Sequence, residues 1–335
     1  MAMTTKPVLA VDAGGTWMRS AVVSGGRLLG AMKRDSPNFI RNRSPLEDLQ
    51  EAFLDEIRTI VLHYRERHYR FSSIAIAFPG PVRGGSVYGA PTLWGPMNAP
   101  YPLIRRLRGS LGGTGIRQIA VVNDMTAMGW RYVSRRRKDF CIITVSSGIG
   151  SKIFWNGEAM LGSSAMGGEI GHWFCGDRYS NLMCDCGELG HLGAVSSGRG
   201  IAKLAVSMLP SGGGDASAPE ERIESLDVIE GVLRGDRFYN NVLEESVKPV
   251  ASAIRLIALS TGLSLFIVVG GFASFLGRVY ADALSNAVLD DKFMHSFDYS
   301  GRGINIVIGE NSDYQTLRGL WNYLNSGNAK IYKLS

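Results

Sequence analysis

Val8-Leu9-Ala10-Val11-Asp12-Ala13-Gly14-Gly15-Thr16 is the stretch from which the rest of this chain is read. The apolar run Val8-Leu9-Ala10-Val11 reads as a buried strand, and a second run, Ser20-Ala21-Val22-Val23, follows closely. Between the two stand an acid and a pair of glycines. Glycine lets backbone come close to an anion and turn N–H groups toward it. Thr16 adds a hydroxyl donor. Asp12 does not welcome a phosphate, but it suits a hydrated Mg²⁺ that accompanies one. The arrangement points to ATP. The plainer alternative is an ordinary Gly-rich hairpin turn.

The second half of the chain repeats the pattern. Phe140-Cys141-Ile142-Ile143-Thr144-Val145 reads as a strand, Ser146-Ser147-Gly148-Ile149-Gly150 as a small-residue turn, and Ser151 to Trp155 as the strand leading away. Two hairpin phosphate loops in successive halves are what an actin-like sugar kinase needs, one on each side of a triphosphate in a cleft. Such internal duplication is sought before single motifs.

The whole chain sets bounds. Its 335 residues suffice for two domains with ample core. A hydrophobic content of 45% and a charged content of 20% are ordinary for a globular protein. Ile254 to Val269 comes nearest to a membrane span, but Arg255, Thr261 and Gly262 interrupt it, so a helix followed by a strand is expected. No signal peptide is evident at the N-terminus, which points to the cytoplasm. The net charge of +6 is concentrated in Arg105-Arg106-Leu107-Arg108 and Arg135-Arg136-Arg137-Lys138. These runs read as solvated surface rather than a nucleic-acid face. No segment before Asp12 is long enough for a helix-turn-helix.

Further motifs follow in order. Ser44-Pro45-Leu46-Glu47 reads as a helix start with Ser44 as N-cap and a capping box, the helix running to about His68. The buried strand Ser73 to Phe78 ends in the rigid turn Pro79-Gly80-Pro81-Val82. A long Gly- and Pro-rich loop, carrying Thr92, leads to the strand Gln118 to Val122, which delivers Asn123-Asp124 at its carboxyl end. Ligands of open α/β sheets gather there, and a carboxylate in that place can accept a proton from a substrate hydroxyl. Capping the following helix is the competing role for Asp124. His172, Cys184, Cys186 and His191 can supply two nitrogens and two thiolates, a set suited to structural Zn²⁺, with Cys175 as a spare. Ser197 reads as an N-cap, Ser211 to Pro219 as a mobile stretch, and Leu265 to Val269 as a strand ending in Gly270-Gly271.

Together these residues resemble the ROK family (repressor, open reading frame, kinase). The resemblance runs from Val8 to about Leu324. It rests on Asp-x-Gly-Gly-Thr at Asp12 to Thr16, Pro-Gly-Pro-Val at Pro79 to Val82, Asn123-Asp124, Gly-Glu-Ile-Gly-His at Gly168 to His172, Cys-x-Cys-Gly-x-x-Gly at Cys184 to Gly190, and Gly270-Gly271. It implies an α/β, two-lobed actin-like ATPase (ribonuclease H-like) fold with a cleft between the lobes. One lobe is expected over 1–122 plus a closing segment 312–335, the other over 123–311 with a zinc-type loop at 172–191. The implied chemistry is ATP-dependent phosphorylation of a sugar's exocyclic hydroxyl, with Asp124 as general base. Thr92, Asn123, Glu169 and His172 would hold the sugar, and His172 would also bind zinc. Gly14, Gly15, Thr16, Ser147 and Gly148 would cradle phosphates, and Gly270 and Gly271 would lie near the adenosine. A homodimer is also implied.

Three positions depart from the family pattern. The second phosphate loop has Ser146-Ser147-Gly148 where Gly-Thr-Gly is usual, and His191 replaces a third zinc cysteine. Gly193 stands where a Glu usually holds hydroxyls at the anomeric end of the sugar. Losing that acceptor should weaken selection for plain glucose and make room. The expected acceptor is therefore an amino sugar, a 1-substituted sugar or a valiolone-type cyclitol. A non-catalytic sugar sensor and a filament-forming actin relative are the competing classes.

Overall fold

The structure, a computed structural model, describes residues 6–209, 223–295 and 303–334. The stretch Ser211 to Pro219 lies outside them. The chain packs as two compact units, one of 1–137, 161–167 and 312–335, the other of 138–160 and 168–311.

The first unit opens with an antiparallel meander of β1 (Val8–Ala13), β2 (Trp17–Ser24) and β3 (Arg27–Asp35). Every residue of β1 is buried, the apolar run Val8–Val11 and the acid Asp12 alike. A single turn, α1 (Phe39–Asn42), precedes the long helix α2 (Leu46–Glu66). Leu49, Phe53, Ile57, Ile60 and Val61, spaced at the 3.6-residue helical period, bury one face of α2. Its start differs from expectation. Pro45 is the N-cap, extended at φ −51° and ψ 149°, and no side chain caps the helix. Ser44 lies one residue outside, where its hydroxyl donates to the Asn42 carbonyl.

Strand β4 (Ser73–Phe78) runs parallel to β1. The small hairpin of β5 (Val82–Arg83) and β6 (Ser86–Val87), then helix α3 (Leu103–Ser110), occupy the long loop. Strand β7 (Gln118–Asn123), parallel to β4, passes directly into α4 (Asp124–Trp130).

In the second unit β8 (Phe140–Val145), β9 (Ile149–Trp155) and β10 (Glu158–Ala159) form another antiparallel meander. Asn156 and Gly157 both take positive φ at the β9–β10 turn, as an Asn-Gly hairpin demands. Helices α5 (Leu192–Ser196), α6 (Gly198–Ser207), α7 (Ser225–Leu233) and α8 (Arg237–Thr261) follow. The Ser197 hydroxyl caps α6 by accepting from Gly200 N, as expected. Strand β11 (Leu265–Val269) is parallel to β8, and β12 (Asn305–Ile308) is parallel to β11. Between them lie α9 (Gly271–Leu276) and α10 (Arg278–Leu289). The chain then returns to the first unit with α11 (Gln315–Asn325) and β13 (Tyr332–Lys333), which pairs antiparallel with β7.

The two sheets share one strand order. β3-β2-β1-β4-β7 in the first unit matches β10-β9-β8-β11-β12 in the second, with β13 added to the edge of the first. In both, the first strand is flanked by its antiparallel hairpin partner and a parallel fourth strand. The duplication seen in the two loops thus extends to topology. It is the actin-like ATPase, ribonuclease H-like fold, with one lobe built on each sheet. Among the described residues no helix is long and apolar enough to cross a membrane.

Candidate active site

In the first unit the site begins where β1 ends. Gly14 N donates to Trp17 O at 3.0 Å, closing the turn into β2. A Cβ on Gly14 would fall 2.7 Å from that carbonyl, so the turn admits only glycine. Gly15 backs onto Thr92: a Cβ there would lie 3.1 Å from Thr92 Oγ1. The structure therefore brings Thr92 against Gly15 of this turn, while Thr16 is exposed.

Asp12 is buried, and Arg19 stands directly opposite it in the β1–β2 register. Arg19 Nη1 lies 3.7 Å from Asp12 Oδ2. The same guanidinium reaches Asp313 Oδ1 at 3.5 Å, and Lys33 Nζ reaches Asp313 Oδ2 at 3.1 Å. Burial pushes the Asp12 carboxyl up to about 7; Arg19 pulls it down, and the charges of Asp124 and Asp313 add to the rise. Such a desolvated carboxyl, with Asp124 and Asp313 adding negative charge that Arg19 offsets only in part, fits a divalent cation, which would favour its ionised form. Asp12 is therefore the residue of this loop able to hold Mg²⁺. Sequence reading missed Arg19 and Asp313, which lie 294 positions apart.

Asn123 and Asp124 sit at the β7–α4 junction. Asn123 is the N-cap: its Oδ1 accepts from Thr126 N at 3.1 Å. Its Nδ2 donates to Gly80 O at 3.2 Å and to Asp124 Oδ1 at 2.9 Å. Met125 N also donates to Asp124 Oδ1, at 2.7 Å. The Pro-Gly-Pro turn thus orients Asn123, and Asn123 orients the Asp124 carboxylate. Side-chain capping falls to Asn123, and Asp124 is a positioned carboxylate at a strand's carboxyl end.

In the second unit the Ser146–Gly148 turn is closed by Ser146 N donating to Gly148 O at 3.1 Å, and Gly198 N donates to Ser146 O at 2.6 Å. Gly270 lies directly against the Val145 carbonyl. The turn holding Ser147 and Gly148 and the Gly270-Gly271 turn are therefore neighbours, and Ser147 is exposed between strands.

The same unit gathers His172, Cys184, Cys186 and His191. One donor atom from each lies within 4.8 Å of the others. Cys186 Sγ and His191 Nδ1 are 3.3 Å apart. The edge of a tetrahedral zinc site with such donors is about 3.3–3.8 Å, so a small closure would complete it. The knuckle is held by Cys184 N donating to Glu188 O and Gly187 N to Cys184 O. Burial, then the neighbouring Cys186 and Asp185, raise the Cys184 thiol, a bias a cation would reverse. The donor set fits zinc. Cys175 is outside it; its thiol donates to Gly190 O. Glu245 of α8, which no motif flagged, fastens this loop: it accepts from Tyr179 Oη at 2.7 Å and pairs with Arg178 Nε at 2.8 Å. Glu169 lies three residues before His172 and pairs with Lys152 of β9.

A sequence profile of the ROK family matches residues 8–297, and the chain belongs to that family. It is 32% identical over 337 residues to a C(7)-cyclitol 7-kinase of Streptomyces hygroscopicus subsp. limoneus, covering 95% of this chain and 94% of that one. It is 28% identical over 277 residues to a glucokinase of Aeropyrum pernix, covering 79% and 81%. Among solved structures it matches a ROK-family glucokinase of Streptomyces griseus in complex with glucose and AMPPNP, with a TM-score of 0.70, 21% identity and coverage of 94% and 98%. It also matches a ROK-family transcriptional regulator, a homologue of the E. coli MLC protein, with a TM-score of 0.76, 19% identity and coverage of 96% and 78%.

Proposed function

We propose that this member of the ROK family is an ATP-dependent kinase of the exocyclic hydroxyl of a cyclitol or closely related polyol, with Asp124 as general base. The observation that carries this reading is the near end-to-end similarity to a cyclitol kinase. Sugar kinases among the relatives support the enzyme class. Gly193 supports the acceptor class. Any side chain there would begin 3.2 Å from the Gly171 carbonyl and 3.7 Å from Cys184 Sγ, and the acidic acceptor usual in the family is missing.

In this mechanism Asp124 accepts the proton of the attacking hydroxyl, its carboxylate aimed by Asn123 Nδ2 and Met125 N. Phosphoryl transfer asks mainly for positioning and charge neutralisation, so one aimed carboxylate suffices. Thr92, Asn123, Glu169 and His172 hold acceptor hydroxyls. Gly14, Gly15, Thr16, Ser147 and Gly148 present N–H and hydroxyl donors to phosphate oxygens, and Gly270 and Gly271 flank the adenosine. Asp12 holds Mg²⁺, which when bound neutralises charge on the nucleotide. His172, Cys184, Cys186 and His191 hold a structural zinc that shapes the acceptor loop. The family resemblance also argues for a homodimer, which light scattering would report.

The test is a coupled ADP-release assay with Mg-ATP over glucose, glucosamine, mannosamine, N-acetylated hexosamines and valiolone-type cyclitols, beside Asp124→Asn. Turnover of a cyclitol, falling about 10²–10⁴-fold in the variant, is expected. Glucose far ahead of every cyclitol would defeat the acceptor assignment. Silence throughout would favour the second reading, a sugar sensor, which the likeness to a ROK regulator keeps in play.

A further inference from the structure

Lys152 occupies the middle of β9, opposite Ile142 of β8, and its side chain is 1% exposed. A strand lysine ordinarily reaches solvent, and burying its ammonium is costly unless a fixed counter-charge meets it. Here Nζ lies 3.0 Å from Glu169 Oε1. The Glu169 side chain is 35% exposed, so the pair has one closed end and one open end. Backbone fixes it. Ser151 N and Oγ both donate to Gly168 O, at 3.2 and 2.8 Å. Gly168 has φ +93°, and a Cβ on it would fall 2.3 Å from Ser151 O. Only glycine lets this loop lie so close upon β9, one residue from each member of the pair.

We propose that Lys152 is a specificity-determining residue: paired with Glu169, it selects an uncharged polyol over an ammonium-bearing sugar. The inference rests on Glu169 as an acceptor-binding residue and narrows that role. A lone carboxylate attracts a protonated amine at least as strongly as a hydroxyl. With Lys152 against it, the pair carries no net charge. Glu169 still accepts from a hydroxyl, while an ammonium brought to the same carboxylate meets a like charge close by. Lys152 does not touch the reacting atoms and acts through Glu169.

The experiment measures competitive inhibition constants of glucose and protonated glucosamine against the best acceptor in native enzyme, K152R, K152Q, K152M and E169Q. In K152Q and K152M, glucosamine should gain on glucose by about tenfold, with KM for the acceptor moving more than kcat. K152R, which keeps the charge, should retain the native ratio. A purely structural role would give a uniform loss with the ratio unchanged. An unchanged ratio in both neutral variants, with acceptor KM raised in E169Q, overturns the role of Lys152. Acceptor KM unmoved in E169Q removes instead the acceptor role of Glu169. Two neutral variants of different polarity guard against one of them failing to fold.

Discussion

Burial holds the Asp12 carboxyl near 7 despite Arg19, and this ties stability to pH with a definite sign. A group whose folded pKa is raised binds its proton more tightly in the folded chain. Stability is therefore highest below the unfolded value of 3.8 and falls as pH climbs toward about 7. The loss amounts to roughly 4 kcal/mol at most. Asp12→Asn abolishes it. Without Mg²⁺ the variant should melt several degrees above the native chain at pH 8 and level with it near pH 4, in a calorimetric series. A native advantage at pH 8 would show that the pair with Arg19 outweighs burial. At this scale the places of Asp12 and Asp124 at strand ends were legible because each follows an apolar run. Arg19 was not, since its pairing with Asp12 depends on the hairpin register and its other counter-charge, Asp313, lies far along the chain. Lys152 was not, since strand alternation says nothing of a buried ion pair.

Helices α4 and α11 show how closely elements pack around the proposed base. A Cβ on Gly319 of α11 would fall 1.8 Å from the Ala127 carbonyl of α4. On an exposed helix Gly→Ala stabilises by up to about 1 kcal/mol. Here Gly319→Ala should destabilise by about 1–3 kcal/mol, read from the urea midpoint, because it forces the helices apart. A stabilised variant would mean that α11 yields freely. The loop of His172, Cys184, Cys186 and His191 gives a second test. Elemental analysis should find one zinc per chain, lost in Cys186→Ser, and a chelator should lower Tm. Metal-free native protein with unchanged Tm would set the zinc assignment aside. Long elements were legible: Gly262, left-handed at φ 74°, ends α8 just where the apolar run breaks before β11. The start of α2 was misread because Pro45 stays extended, so the helix begins after it rather than at it. Strand β13 spans two residues and carries no periodic signal of its own.

The doubled strand order is a property of the whole molecule, and the hairpin loops at Asp12 and Ser146 announced it. The discontinuity of the units was less visible, because a returning helix and strand look like any others until their partners are known. Truncation after Asn311 would remove α11 and β13 from the first unit and leave the segments of the second intact. Limited proteolysis of that fragment should digest the first unit and spare the second; equal protection of both would show that α11 is dispensable. The return of β13 to β7 also has a temporal side. During translation the sheet begun by Val8 cannot be finished until Tyr332 and Lys333 have left the ribosome, whereas the segments of the later unit have all emerged before them. The unit made first is completed last, and a nascent chain stalled before α11 carries the Asp124 carboxylate without the helix that packs behind it.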